Sequence, residues 1–132
     1  MSMLTFEKFE LYESLCSNLV QNKEIQFAGF VNKKGRKIVG QFGNEKFTKF
    51  EEDNGLDVFL METALEFSMK NEFNNKFGMM EYVFSKRNSV NITCMPIHEN
   101  ILVIITESHF DVQKVLEKYT SDILKTQESC FE

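Results

Sequence analysis

The sequence contains no tryptophan, one proline and three cysteines among its 132 residues. The cysteines, Cys16, Cys94 and Cys130, are odd in number and far apart, which argues against a disulfide framework or a zinc knuckle. The longest apolar run, ILVIIT from Ile101, is much shorter than the ~20 residues that span a bilayer. The N-terminal stretch MSMLTFEKFELYESL lacks the apolar segment of a secretion signal. We therefore expect a soluble, cytoplasmic protein with no membrane partner.

Positive charge is also scarce, because the formal net charge is −5 and the chain has no long basic run. Nucleic-acid binding requires clustered Lys and Arg side chains that neutralise phosphates, so we expect no nucleic-acid partner. The nearest approach to a basic patch is Lys33, Lys34, Arg36 and Lys37. These residues fall in a predicted turn, where charged side chains are most simply solvated.

The chain does contain enough apolar material for one core, since 42% of its residues are hydrophobic and 14 are Phe. This length suits a single domain over residues 1–132, with residues 1–4 and 126–132 frayed. From Thr5 to Asn22, apolar residues recur every three or four positions. That spacing predicts a helix, for which Thr5 is a candidate N-cap.

The next stretch, QFAGFVNKKGRKIVGQF, alternates as two strands around a turn at NKKG. Gly29 and Gly40 lie inside these strands, which indicates close packing against a helix or a bulge. The polar stretch GNEKFTKFEEDNG predicts a connecting loop. A second helix then begins at Gly55, and its inner apolar stripe, which starts at Leu56, is predicted to continue to about Phe73 or Phe77, where Gly78 is a natural stop.

Three strands and a last helix complete the chain. MEYVFSKR and SVNITCMPI alternate, whereas NILVIITES is continuously apolar, as is typical of a central strand. Pro96 is expected at a strand end or an edge. The last helix is predicted to begin near His109, with Ser108 as N-cap and Asp111 in its first turn. The order α-β-β-α-β-β-β-α predicts an α+β fold in which three helices flank a five-stranded antiparallel sheet.

No residue constellation predicts an enzyme, a cofactor or a metal site. The two histidines fall in predicted turns, and structural zinc requires four nitrogen or sulfur ligands at short spacing. Cys94 lies in an alternating strand, where a small buried residue is sufficient, and no base is placed beside it. GQFGNEK lacks the spacing of a phosphate-binding loop. We therefore expect no catalytic, cofactor-binding or metal-ligating residues.

The second helix carries more apolar surface than one face of a sheet requires. Its inner stripe begins Leu56, Phe59 and Leu60, yet Met61, Leu65 and Met69 lie off that stripe. MMEYVF, which contains Met80, Tyr82 and Phe84, begins a strand expected at a sheet edge, where exposed apolar strands tend to aggregate. A symmetric second copy would cover both, which predicts a homodimer interface formed by these residues. The simpler alternative is that the methionines fill gaps in the core.

The stretches FAGFVNKKGRKIVGQF, LDVFLMETALEFSMKNEF and VNITCMPIHENILVIITES, followed by the last helix, resemble the roadblock/LC7 (longin-like, profilin-like) family over nearly the whole chain. They also resemble the small single-domain roadblock-like proteins of archaea. The resemblance implies a homodimer formed by the middle helix and the third strand. It further implies a non-enzymatic scaffold or regulator that binds a small Ras-like GTPase.

On this resemblance the first hairpin lies away from the dimer interface. It would offer Lys33, Lys34 and Arg36 to an acidic partner. Two other functions stay open at this point. One is a small-molecule sensor of the PAS or GAF kind, in which Phe and Met line a pocket. The other is a structural subunit without a GTPase connection.

Overall fold

The structure, a computed structural model, describes residues 5–43 and 54–128. Within these ranges lie five strands, namely β1 (Ile25–Val31), β2 (Lys37–Phe42), β3 (Val83–Lys86), β4 (Val90–Ile97) and β5 (Asn100–Glu107). The same ranges contain four helices, α1 (Phe6–Leu19), α2 (Gly55–Asn71), α3 (Asn74–Phe77) and α4 (Val112–Glu128). The predicted order of elements is confirmed, and the short α3 is an addition to it. Most of the predicted loop GNEKFTKFEEDNG lies outside the described residues.

The strands form one antiparallel sheet in the order β2-β1-β5-β4-β3. β5 is the central strand, as predicted, and its residues from Asn100 to Thr106 are all buried. β2 and β3 form the two edges. Pro96 is the second-last residue of β4 and lies beyond the last pair of the β3–β4 ladder, Val83 with Cys94, as predicted for a strand end.

Helices cover both faces of this sheet. Leu56, Leu60 and Phe67 of α2 pack in one cluster with Phe27, Val103 and Ile105 of the sheet. On the opposite face, Tyr12 and Leu19 of α1 join Val115 and Ile123 of α4 over Phe30, Leu102 and Ile104. Each large side chain buried in this way contributes about 1.5–3 kcal/mol to the free energy of folding. None of the described helices has both the length and the apolar composition needed to cross a bilayer.

The two glycines of the first hairpin pair with each other, Gly29 opposite Gly40. A methyl group on Gly29 would lie 2.7 Å from Cζ of Phe27 and 2.9 Å from the carbonyl oxygen of Val39. A methyl group on Gly40 would lie 3.1 Å from Cε1 of Phe27. The predicted close packing is therefore present, and the neighbour is the Phe27 ring rather than a helix.

The prediction that the buried stripe of α2 extends to Phe73 or Phe77 is wrong. The buried positions end at Phe67, whereas Phe73 and Phe77 are 49% and 82% exposed. α2 ends at Asn71, before Phe73, and a separate short helix, α3, begins at Asn74. Gly78, at φ 90°, ends α3 and supplies the predicted stop.

Two predicted boundaries also need correction. β3 does not begin at MEY, because continuing the register from Val83 opposite Cys94 would place Glu81 opposite Pro96, which has no N–H. The last helix begins at Val112, and Asp111 rather than Ser108 caps it, since its Oδ1 accepts the N–H of Gln113 at 2.9 Å. Thr5 does cap α1, accepting the N–H of Lys8 at 3.1 Å.

The predicted frayed end at 126–132 is helical as far as Glu128, and Thr126 is buried. Residues 1–4 and 129–132 lie outside the described part of the chain.

Candidate interaction surface

The outward side of α2 is apolar along its length. Met61, Leu65 and Met69 follow one another at intervals of four residues and are 58%, 62% and 58% exposed. Residues four apart lie above one another on a helix, so they form one continuous stripe. α2 is therefore apolar on two sides, of which the sheet covers only one.

This stripe extends past α2 towards the β3 edge of the sheet. Of the ten large hydrophobic side chains exposed in the described residues, seven lie on α2, on α3 or in the segment that leads to β3. We call these seven the apolar face: Val58, Met61, Leu65, Met69, Phe73, Phe77 and Met79. The other three are Phe6 of α1, Leu124 of α4 and Phe84 of β3, which follows Val83 and therefore points to the α1–α4 side of the sheet. A contiguous apolar patch of this kind marks an interaction site rather than ordinary surface.

A groove of about 980 Å³ lies between α2 and the segment that leads to β3. Leu65, Met69 and Phe73 line it on the helix side, and Met79 and Tyr82 line it on the other. β3, which follows Tyr82 directly, has one long side without a neighbouring strand in the described sheet. Helix stripe, groove and strand edge thus form a single surface.

The structure places the six predicted interface residues on α2 and along the β3 edge. Met61, Leu65 and Met69 are exposed on the apolar face, whereas Phe84 is exposed at the same sheet edge but on the α1–α4 side. Met80 and Tyr82 are half-buried, because Met80 packs against the core on the α2 side of the sheet and Tyr82 against the core on the other side.

Sequence reasoning missed Val58 and Met79 and assigned Phe73 and Phe77 to the buried stripe. The spacing of four from Met61 through Met69 to Phe77 is the signal that could have placed the last two correctly.

The first hairpin lies closer to the apolar face than predicted. β2 is at the sheet edge opposite β3, but the turn of the hairpin reaches α2: a methyl group on Gly35 would lie 2.7 Å from Cα of Met61. Gly35 has φ 87°, a conformation that other residues rarely adopt. Both this backbone conformation and the close contact with Met61 require glycine. The expectation that the hairpin lies away from the interface region is wrong for its turn.

Lys33, Lys34 and Arg36 are exposed in this turn and therefore lie beside the Met61 end of the apolar face. The side-chain Oδ1 of Asn32 accepts the backbone N–H groups of Lys34 and Arg36 at 2.9 and 3.0 Å. These bonds fix the backbone of the turn. The cations thus project from a defined position next to α2.

The two histidines serve the fold in different ways. His98, in the β4–β5 turn, receives the hydroxyl proton of Tyr12 at Nδ1 (2.8 Å) and donates from Nε2 to the carbonyl of Gln127 (2.9 Å). The Gln127 carbonyl only accepts, so the proton of neutral His98 is on Nε2. His98 thereby ties α1 to the end of α4. His109 is exposed and lies 2.6 Å from Oε2 of Glu24.

Cys16 and Cys94 are buried. Burial raises the pKa of the Cys94 thiol to about 12, with a smaller contribution from the charge of Glu66. Burial, with a smaller contribution from Glu13, raises the pKa of Cys16 as well. Since the thiolate is the reactive form, neither side chain is prepared to act as a nucleophile.

This burial predicts how the thiols react. In a Cys130→Ser variant at pH 8, we expect Cys16 and Cys94 to react with a thiol reagent only as slowly as the protein unfolds globally. In denaturant we expect the same reaction to be fast. The reason is that both thiols are protonated and covered in the folded state. Stopped-flow absorbance with an aromatic disulfide measures both rates. Rapid labelling of either thiol in the folded protein would contradict their placement in the core.

Comparisons with known proteins identify the architecture. A Streptomyces avermitilis roadblock/LC7 domain superimposes with a TM-score of 0.70 at 13% identity, covering 91% of this chain and 98% of that one. Myxococcus xanthus MglB superimposes with a TM-score of 0.75 at 15% identity, covering 100% and 98%. A structure described as MglB with tetrameric arrangement gives 0.70 at 10% identity, covering 96% and 90%. The chain has the roadblock/LC7 fold, and at these identities the likeness shows the fold alone.

The comparison with family models gives one match, described as a family of unknown function (DUF6659), over residues 5–131. No curated protein matches the chain.

Proposed function

The chain belongs to the family of unknown function DUF6659, and from its roadblock/LC7 fold and its apolar face we propose a non-enzymatic, homodimeric interaction module. In that form it acts as a scaffold or regulator of a small Ras-like GTPase. The observation that carries the proposal is the apolar face itself, a continuous exposed surface beside an open sheet edge.

A second copy of the chain fits both parts of this surface at once. If β3 pairs antiparallel with the partner's β3 about a two-fold axis, the two sheets become one continuous sheet. The same axis places the two α2 helices side by side and antiparallel, since both lie on one face of that sheet. The arrangement covers the open edge and the helix stripe together, which removes an aggregation hazard. Self-association is also a property of one protein with this fold, the MglB with tetrameric arrangement.

The absence of an enzymatic role is supported by where the reactive side chains lie. Cys16 and Cys94 are buried and protonated, and His98 has both ring nitrogens engaged in structural hydrogen bonds. Buried, protonated thiols and a histidine that is bonded on both sides are poorly placed for nucleophilic or acid–base chemistry.

The GTPase part of the proposal rests on the resemblance to the roadblock/LC7 family. The homodimer is consistent with it, because pairing through α2 and β3 leaves the α1–α4 face of each copy and the β2 edge free for another protein.

Direct titration tests this part. Purified small Ras-like GTPases of the source organism, each loaded with GDP or a non-hydrolysable GTP analogue, are titrated with the wild-type protein in a calorimeter. We expect one GTPase to bind, with dissociation constants that differ at least about fivefold between the two nucleotide states, as regulatory coupling requires. Equal affinity for both nucleotide states would contradict a regulatory role. If no GTPase binds at any soluble concentration, a GTPase partner is ruled out.

A further inference from the structure

Three cations of the hairpin turn have no counter-charge in the described structure. Lys33, Lys34 and Arg36 are exposed, and none of their side chains forms an ion pair with a described residue. The backbone beneath them is fixed, since Gly35 is packed on Met61 and Asn32 holds the turn from within. A fixed cluster of unpaired cations at the border of an apolar surface favours an acidic partner surface at that border.

α2 carries the opposite charge. Asp57, Glu62, Glu66 and Glu72 are exposed along it and at its C-cap, against the single Lys70 within the helix. Two such helices placed side by side repel each other. Glu72 is also placed unfavourably in the single chain, because a carboxylate at a helix C-terminus faces the negative end of the helix dipole. Cations of the partner placed near Glu72 would therefore favour a homodimer through α2.

The spacing of the stripe indicates which residues meet. Met61 and Met69 lie symmetrically about Leu65, so an antiparallel pair of α2 helices has its two-fold axis near Leu65. In that register Met61 faces the partner's Met69, and Val58 faces the partner's Glu72. The hairpin turn is packed on Met61, so its cations approach the C-terminal end of the partner's α2.

We propose that Lys34 and Arg36 of the hairpin turn form an ion-pair cluster with the partner's Glu72, so that the turn is part of the dimer interface. This inference rests on the proposed homodimer. The contact occurs twice by symmetry, and it determines which copies can pair.

A charge exchange tests the contact. The first variant carries Lys34→Glu and Arg36→Glu, and the second carries Glu72→Lys. Each variant repels itself at the proposed contact, because positions 34 and 36 then carry charge of the same sign as position 72. A mixed pair places opposite charges together at both symmetric contacts.

Sedimentation velocity at low salt measures the dissociation constants. We expect each variant alone to dimerise at least about tenfold more weakly than the wild type, given two symmetric clusters of partly exposed ion pairs. The 1:1 mixture is expected to dimerise within about threefold of the wild type, and these differences shrink in 1 M salt, where the Debye length is about 3 Å. Net charge alone predicts something else, namely stronger self-association of the less acidic Glu72→Lys variant.

The control variant Lys23→Glu with Lys114→Glu makes the same change in charge as the first variant at exposed positions away from the apolar face. It should dimerise like the wild type, and thermal melting confirms that all variants fold. If each variant self-associates like the wild type, and the mixture shows no preference for mixed pairs, the proposed turn contact is wrong and the homodimer is unaffected. A wild-type protein that is monomeric throughout would overturn both.

Discussion

Replacing Leu65 and Met69 with Glu is expected to convert the proposed homodimer into a monomer. Both side chains are about 60% exposed in the single chain and lie on the apolar face, and Leu65 is nearest the proposed two-fold axis. In the dimer the double substitution would bury four carboxylates by symmetry beside other carboxylates. We expect the dissociation constant to rise at least about a thousandfold, or roughly 4 kcal/mol, as for central interface residues.

The chain offers a matched control for this prediction. Phe6 and Leu124 are exposed large hydrophobics on α1 and α4, which lie on the opposite side of the sheet from the apolar face. The variant Phe6→Glu with Leu124→Glu makes the same kind of change and should stay dimeric. Because all four positions are exposed in the single chain, both variants should keep the wild-type secondary structure by circular dichroism, although the monomeric one also loses the stability that association contributes. A Leu65→Glu, Met69→Glu protein that keeps the wild-type mass would remove α2 from the interface.

Replacing Tyr12 with Ala is expected to lower the free energy of unfolding more than any of the other proposed substitutions. Tyr12 is fully buried, and its ring stacks on Phe30 with 3.8 Å between centroids. Its hydroxyl accepts from Nδ2 of Asn100 at 3.0 Å and donates to His98. Removing an aromatic side chain from a core costs about 3–5 kcal/mol, a large share of the ~5–15 kcal/mol that stabilises a domain. Urea denaturation followed by circular dichroism measures this loss.

Tyr12→Phe separates the hydroxyl from the ring. It keeps the stack on Phe30 but leaves the Asn100 amide and His98 Nδ1 without this partner. We expect it to cost about 1–3 kcal/mol, the penalty for buried polar groups that lose a hydrogen bond. Hydrogen exchange should also accelerate in the last turn of α4, which His98 holds through Gln127. A loss below about 1 kcal/mol for Tyr12→Ala would contradict the central place of this residue.

Periodicity was enough to predict the order of the elements and the centre of the sheet. The alternation of β1 and β2, the continuous apolar run of β5 and the stop at Gly78 are local signals, and each is present in the structure. The second apolar stripe of α2 was also visible, because residues four apart share a helix face regardless of what covers them.

The predictions that failed depend on contacts distant in sequence. Ser108 and Asp111 are both plausible caps, but the Ser108 carbonyl accepts from Asn91 and Lys86 and belongs to the turn before α4. The turn at Gly35 meets Met61 across 26 residues, which no local pattern encodes. The short extent of β3 follows from Pro96 on the neighbouring strand. In each case the deciding partner lies on another element.

The most direct test of the account is the molar mass of the wild-type protein by light scattering after size exclusion, over a wide range of loading concentrations. For the proposed homodimer we expect twice the chain mass of 15.5 kDa, with a fall towards the mass of one chain only on dilution. A constant mass of one chain at all concentrations would contradict it, because the apolar face and the β3 edge would then stay exposed to water.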